Sequence, residues 1–382
     1  MSISLPPLPL PPSIRSRYVD GINGLRMHVL EAGFETPGRP CVLLLHGFPE
    51  LAYSWRKVMP ALAAADYHVL APDQRGYGRT TGWRADYDGD LAPFRFTNLV
   101  RDALGVVYAF GHRHVTAVIG HDFGSPVAAW CAVIRPDVFR SVVMMSAPFP
   151  GPPAAPFDIA NHAAPTQEDP VHRELAALPR PRKHYQLYYS TREADADMHR
   201  APQGLHDFLR AYYHHKSADW PGNTPTPLQA WNATELAKLP TYYVMDLTKT
   251  MAETVAEEMP DAATIAANRW LPDDDLAVYA AEYERNGFQG GLQWYRCGTS
   301  GLFDAELQIW SDRTIDVPSA FISGMQDWGI YQRPGVFEAM QSRVCTNMIL
   351  CELIDRAGHW VQQEQHERVN QLLLTFLNRS TA

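Results

Sequence analysis

The run Val115-Thr116-Ala117-Val118-Ile119-Gly120-His121-Asp122-Phe123-Gly124-Ser125-Pro126 joins an apolar, β-branched stretch to a turn crowded with small residues. Its first five residues have the length and composition of a strand buried on both faces. Gly120, Gly124 and Ser125 surround Asp122 with minimal side chains. A sharp strand-to-helix elbow requires this, because larger groups there would strike neighbouring backbone. Pro126 suits the first turn of the following helix, where its missing N–H goes unneeded. Elbows of the G-x-S-x-G type carry serine at the apex, whereas this one carries Asp122. Asp is also a common helix N-cap, so the stretch alone leaves both roles open.

Outward from the elbow the chain alternates between strand and helix signals. Residues 17–20 and Leu25–Ala32 flank Asn23-Gly24, a two-residue hairpin signal. Cys41–Leu45, 68–71 and 141–145 are short apolar runs, and 319–322 and 348–353 renew the pattern near the end. Helix-length segments at 54–65, 97–110, 125–134 and 361–377 separate or close these strands. The expected fold is α/β, a mostly parallel sheet with helices on both faces. Residues 151–304 break the rhythm with a Pro/Ala-rich stretch at 148–165, then an aromatic, helix-prone region. The expected division is a core at 1–150, an inserted and mainly helical lid at 151–304, and the rest of the core at 305–382.

Three further loops carry chemistry. His46-Gly-Phe-Pro-Glu50 follows the strand Cys41–Leu45, where backbone N–H groups can face a reacting oxygen. Phe48 and Phe123 are the expected donors of an oxyanion hole, and the Phe48–Pro49 bond suits a cis turn. Asp327 ends the segment Phe321-Ile-Ser-Gly-Met-Gln-Asp327, and His359 lies in Arg356-Ala-Gly-His-Trp360. The order Asp122, Asp327, His359 is nucleophile, acid and base, as this topology requires. Asp355 is the rival acid, but it lies close in sequence to His359.

Taken together, these residues resemble the epoxide hydrolase branch of the α/β-hydrolase fold. The blocks are His46-Gly-Phe-Pro-Glu50, Asp73-Gln-Arg-Gly-Tyr-Gly78, Gly120-His-Asp-Phe-Gly124 and Gly358-His-Trp-Val-Gln-Gln-Glu364. Tyr185-Gln-Leu-Tyr-Tyr189 and Leu292-Gln-Trp-Tyr295-Arg296 resemble the two family segments that each carry a proton-donating tyrosine. The resemblance implies that role for Tyr185 and Tyr295, with Tyr188 the alternative for the first. It also implies His46, Tyr188, Trp294, Trp328 and Trp360 as substrate-binding residues. The chain departs from the family in having Phe123 where Trp is frequent, and in a long interval between Tyr185 and Tyr295.

A carboxylate nucleophile suits this reaction. A serine alkoxide opening an epoxide would leave an ether, which water does not readily cleave, whereas Asp122 would leave a hydrolysable ester. The expected partner is a small-molecule epoxide, and the chemistry needs neither a metal nor an organic cofactor. A dehalogenase would use the same Asp–His–Asp logic, but would call for a Trp or Arg beside the nucleophile where Phe123 and Gly124 stand. A binding protein on this scaffold that has lost turnover is the reading from another class.

Bulk properties narrow the field further. The 382 residues include 33 Lys+Arg and 42 Asp+Glu, a formal net charge of −9. That balance argues against a nucleic-acid partner. The five cysteines show no CxxC or zinc-like spacing, which suits a reducing compartment. No apolar run reaches the length of a membrane span, and the Pro/Leu alternation at 5–12 lacks the features of a signal peptide. A cytoplasmic protein is expected, and the oligomeric state stays open.

Overall fold

The computed structural model describes residues 5–155 and 169–380. Ten strands occur among them: β1 Ile14–Ile22, β2 Leu25–Ala32, β3 Cys41–Leu45, β4 His68–Pro72, β5 Ala117–His121, β6 Val142–Met145, β7 Arg182–His184, β8 Val244–Asp246, β9 Ser319–Gly324 and β10 Met348–Ile354. Eight form one sheet in the order β1-β2-β4-β3-β5-β6-β9-β10. β1 and β2 make the expected antiparallel hairpin. Asn23 and Gly24 turn it with φ of 48° and 85°, the left-handed pair that such a turn demands. β2 runs antiparallel to β4, and all later neighbours are parallel.

The apolar runs are continuous because both faces of the parallel strands are covered. Leu43, Leu45 and Val118 join one core, with helices Phe96–Ala109 and Gly124–Ile134. Val42, Leu44, Ala117 and Ile119 join the other, with helices Met59–Ala64 and His366–Ser380. Chain order reverses across β3: β4 lies on one side of it and β5 on the other. The crevice at the carboxyl ends of the strands opens at such a point. The loops after β3 and β5 meet there.

Two expected helices are broken. The segment 54–65 becomes a short 3₁₀ turn, Ala52–Trp55, and a helix, Met59–Ala64, with proline in its first turn. Pro60 inside a continuous helix would lack a donor and clash with the preceding turn. The segment 361–377 breaks at Gln365, with φ −128° and ψ 47°, into Val361–Glu364 and His366–Ser380.

Between β6 and β9 no strand enters the main sheet. This segment is largely helical, including Tyr185–Tyr189, Leu205–His215, Asp273–Asn286 and Gln289–Ser300. It also holds an unexpected antiparallel ribbon, β7 with β8. Part of the Pro/Ala-rich stretch, 156–165, lies outside the described residues. The helical segment grips the sheet region by close contacts: a Cβ on Gly290 would sit 2.1 Å from the Gly76 carbonyl oxygen. Trp294 Nε1 donates to the Arg75 carbonyl at 2.9 Å, and the buried Arg79 pairs with Glu282 at 2.6 Å. All five cysteines are free thiols, and no helix among the described residues is long and apolar enough to cross a membrane.

A Cβ on Gly124 would lie 2.3 Å from the Leu45 carbonyl oxygen. Gly124→Ala is therefore expected to lose about 3 kcal/mol of unfolding free energy, read by urea denaturation. A variant as stable as the parent would mean that the two loops separate freely.

Candidate active site

Asp122 stands at the end of β5 with φ of 50°, left-handed backbone that a non-glycine residue adopts only when its surroundings impose it. Its N–H donates to the Met145 carbonyl at 3.1 Å and its carbonyl accepts from Ser125 N–H at 3.0 Å, locking the elbow between β6 and the next helix. Opposite it, Gly47 leaves room: a Cβ there would lie 2.4 Å from Asp122 Oδ1 and 2.7 Å from the Phe123 nitrogen. Phe48 N–H donates to Asp122 Oδ1 at 2.8 Å. The Phe123 nitrogen borders the same space beside Gly47. The Phe48–Pro49 peptide is cis.

The other oxygen, Asp122 Oδ2, is 3.0 Å from His359 Nε2. His359 Nδ1 is 3.0 Å from Asp327 Oδ1. Asp327 in turn accepts from Gly329 N–H at 2.7 Å and from the Ser323 hydroxyl at 3.0 Å. The side chains of His359 and Asp327 are each 1% exposed against 13% for Asp122, so of the three only the carboxylate at the elbow retains an opening. Asp355, the rival acid, has an 80% exposed side chain and faces Arg356.

Tyr185 and Tyr295 come from two different helices, with ring centroids 5.9 Å apart. Tyr295 stands edge-on to both oxyanion-loop rings, 5.5 Å from Phe48 and 5.1 Å from Phe123. Burial first, and then the negative charge of Asp122, push both phenols above their ordinary range, so both remain O–H donors. The Tyr188 hydroxyl instead donates to Asp197 at 3.0 Å, within the helical segment.

Residues 40–365 match the α/β hydrolase fold family. Epoxide hydrolase A of Mycobacterium tuberculosis is 32% identical over 372 residues, covering 94% of this chain and 96% of that protein. An epoxide hydrolase of Caballeronia sordidicola is 28% identical, covering 94% of this chain and 93% of its own. Among solved structures, an epoxide hydrolase from an endophytic Streptomyces superposes with a TM-score of 0.74 at 30% identity, covering 96% of each chain. The chain belongs to the epoxide hydrolases. Potato epoxide hydrolase I shares the architecture, with a TM-score of 0.71 at 26% identity over 96% of this chain and 99% of that one.

The remaining candidates of this epoxide hydrolase chain direct their polar atoms into the protein. His46 Nδ1 donates to the Gly47 carbonyl at 2.9 Å, and its Nε2 accepts from Gln74 N–H at 3.1 Å. Trp360 Nε1 donates to the Tyr213 carbonyl at 2.8 Å, and its ring packs 4.8 Å from that of His359. Trp294 stands edge-on to Phe123 at 5.2 Å. Trp328 is buried just after Asp327, its indole N–H without a hydrogen-bond partner among the described residues. Beside Phe123 a small cleft is lined by Phe94, Phe96, Trp294, Cys297 and Leu307.

Sequence reasoning gave no role to two carboxylates that hold the site. Glu50 Oε2 lies 2.5 Å from His121 Nδ1, and His121 Nε2 donates to the His359 carbonyl at 2.7 Å. Gln362 and Gln363 donate to the other Glu50 oxygen at 2.8 and 2.9 Å. Glu364 accepts from the N–H groups of Gly358 and Trp360, each at 2.9 Å, and of Ala218 at 2.8 Å. It thus clamps both sides of His359 to the helical segment. Their only signal was position within the blocks around His46 and His359.

Burial pushes the Asp122 carboxyl up, but the hydrogen bond and charge of His359, then the charges of Lys216 and His121, outweigh it and hold the group well below the carboxylate range. Burial and then Lys216 push His359 down, while Asp327 and Asp122 more than reverse this, so its folded value lies above the ordinary 6.5. A raised imidazole stabilises the fold fully below its unfolded value, and that contribution fades as pH rises through the folded one. His359→Gln should therefore lose more stability relative to the parent near pH 6 than near pH 9, measured by urea unfolding. An equal loss at both would contradict the raised imidazole.

Proposed function

We propose that this chain adds water to an epoxide through an ester on Asp122, and that Asp327, His359, Tyr185 and Tyr295 carry the reaction with it. One observation carries the reading: the group at the elbow is a carboxylate with its Oδ1 on Phe48 N–H and its Oδ2 on His359. Asp122 Oδ2 attacks a ring carbon, whose bond to the epoxide oxygen breaks as the new C–O bond forms. Tyr185 and Tyr295 hydrogen-bond the departing oxygen and supply its proton.

His359 then takes a proton from water, held in the correct orientation by Asp327. The hydroxide adds to the Asp122 carbonyl carbon, and the N–H groups of Phe48 and Phe123 hold the resulting oxyanion. Collapse breaks the acyl carbon–oxygen bond, the proton held by His359 passes to the departing alkoxide, and the second proton of the water returns to the phenol that gave up its own. The vicinal diol leaves with an oxygen that began as Oδ2, and the water oxygen stays in the carboxylate. Residues 151–304 act as a lid that supplies the tyrosines. The aromatic walls, Phe123 and Trp294 among them, favour epoxides with apolar or aryl substituents.

A single turnover of styrene oxide with excess enzyme in ¹⁸O-water should give an unlabelled first diol; label in it would mean direct attack by water. His359→Gln should instead accumulate the ester, seen as a gain in mass on the peptide containing Asp122. Replacing both Tyr185 and Tyr295 by Phe should slow ester formation by about 10³-fold or more, measured in a single turnover. A double variant that still opens the ring quickly would remove those two phenols from the mechanism.

A further inference from the structure

Lys216 follows helix Leu205–His215 and is 3% exposed. Its ammonium has no carboxylate at ion-pair distance among the described residues. Four aromatic rings wall it in: Tyr243 at 5.0 Å, Trp360 at 5.2 Å, Tyr212 at 5.5 Å and Tyr242 at 5.9 Å from Nζ to centroid. Aromatic faces attract a cation, and more strongly where water is excluded. A helix carboxyl end adds to that attraction.

The position of this cage is specific. The Trp360 ring that the Lys216 ammonium sits over is also packed 4.8 Å from the His359 ring. The Tyr243 ring, also beneath the ammonium, is packed 5.1 Å from the Tyr185 ring. The backbone holds the same register: His359 N–H donates to the Lys216 carbonyl at 2.9 Å, and a Cβ on Gly358 would lie 2.7 Å from that oxygen. The cation thus shares one ring neighbour with His359 and another with Tyr185.

We propose that Lys216 is a positioning residue for the second step, whose buried ammonium keeps the His359 imidazole free to accept a proton once Asp122 has become an ester. This rests on the roles given above to Asp122 and His359. Before ring opening, His359 faces two carboxylates, Asp122 and Asp327, which together favour imidazolium. Esterification removes the charge of Asp122. The groups that then face the imidazole are Asp327 from the loop after β9, and His121, 5.2 Å away between centroids, with its Glu50 partner. Glu364, in the short helix that follows the His359 loop, accepts from Trp360 N–H, and the Lys216 ammonium sits over the Trp360 ring. Lys216 is the cation in that set contributed from the helical segment. Like charges in a dry site oppose each other strongly, so its presence disfavours a proton on His359. The electrostatics agree in direction: after burial, Lys216 is the largest influence lowering the proton affinity of His359.

The test is the pH dependence of ester breakdown in single turnovers of styrene oxide by Lys216→Met, Lys216→Gln and Lys216→Arg, with the ester followed by mass in quenched samples. Removing the charge should move the acid limb of breakdown up by about one pH unit, while Lys216→Arg keeps it where the parent has it. A limb that stays in place in a folded neutral variant overturns the proposal. Failure of both neutral variants to fold also overturns it, because the charge would then serve the fold alone. Absence of any ester in the parent and in His359→Gln would be a different failure, that of the Asp122 reading itself.

Discussion

The loops after β3 and β5 approach so closely that neither Gly47 nor Gly124 has space for a Cβ, and this contact organises the rest of the site. It forces Asp122 into left-handed backbone and turns its carboxylate onto Phe48 N–H. Strain of that kind costs about 1 kcal/mol or more and persists only where surrounding structure imposes it. Here the Met145 and Ser125 hydrogen bonds on one side and the β3 loop on the other supply that constraint. Once Asp122 is fixed, His359 and Asp327 need only reach it from the next strands along the same sheet edge.

A carboxylate nucleophile reverses the charge history of a serine site. The site begins with Asp122 and Asp327 both near one imidazole, and passes through a neutral ester before the second carboxylate returns. Phe48 N–H donates to Oδ1 in the resting site, and in the proposed reaction the same donor would face the oxyanion. The histidine must hold a proton well in one state and release it readily in the other. The surrounding groups Glu50, His121 and Lys216 are buried, where charges act on one another more strongly than in water.

The helical segment carries many aromatic residues, and most of them pack. Tyr189 binds Tyr212, Tyr213 donates to the Pro49 carbonyl, and Tyr279 shares a hydrogen bond with Ser54. Tyr185 and Tyr188 are three residues apart on one short helix, yet only Tyr185 lies against Tyr295. Tyr188 is turned to Asp197. Side-chain direction on the helix separates a candidate acid from a packing residue, and composition cannot express that.

Much was legible in the residues alone, because elbow chemistry is local. Small residues around Asp122, the Asn23-Gly24 turn and the unbroken apolar strands each follow from sterics or burial within a few positions, and together they named the fold and the triad order. The helix breaks near Met59 and Gln365 were less visible. Pro60 offered a local sign, but the break at Gln365 accompanies Glu364 folding back onto distant N–H groups. The support from Glu50 and His121 and the aromatic cage of Lys216 arise between residues far apart in the chain. Such contacts are set by how strands align at a shared edge and where the inserted helices dock. No local pattern encodes them, so the tertiary structure decides them.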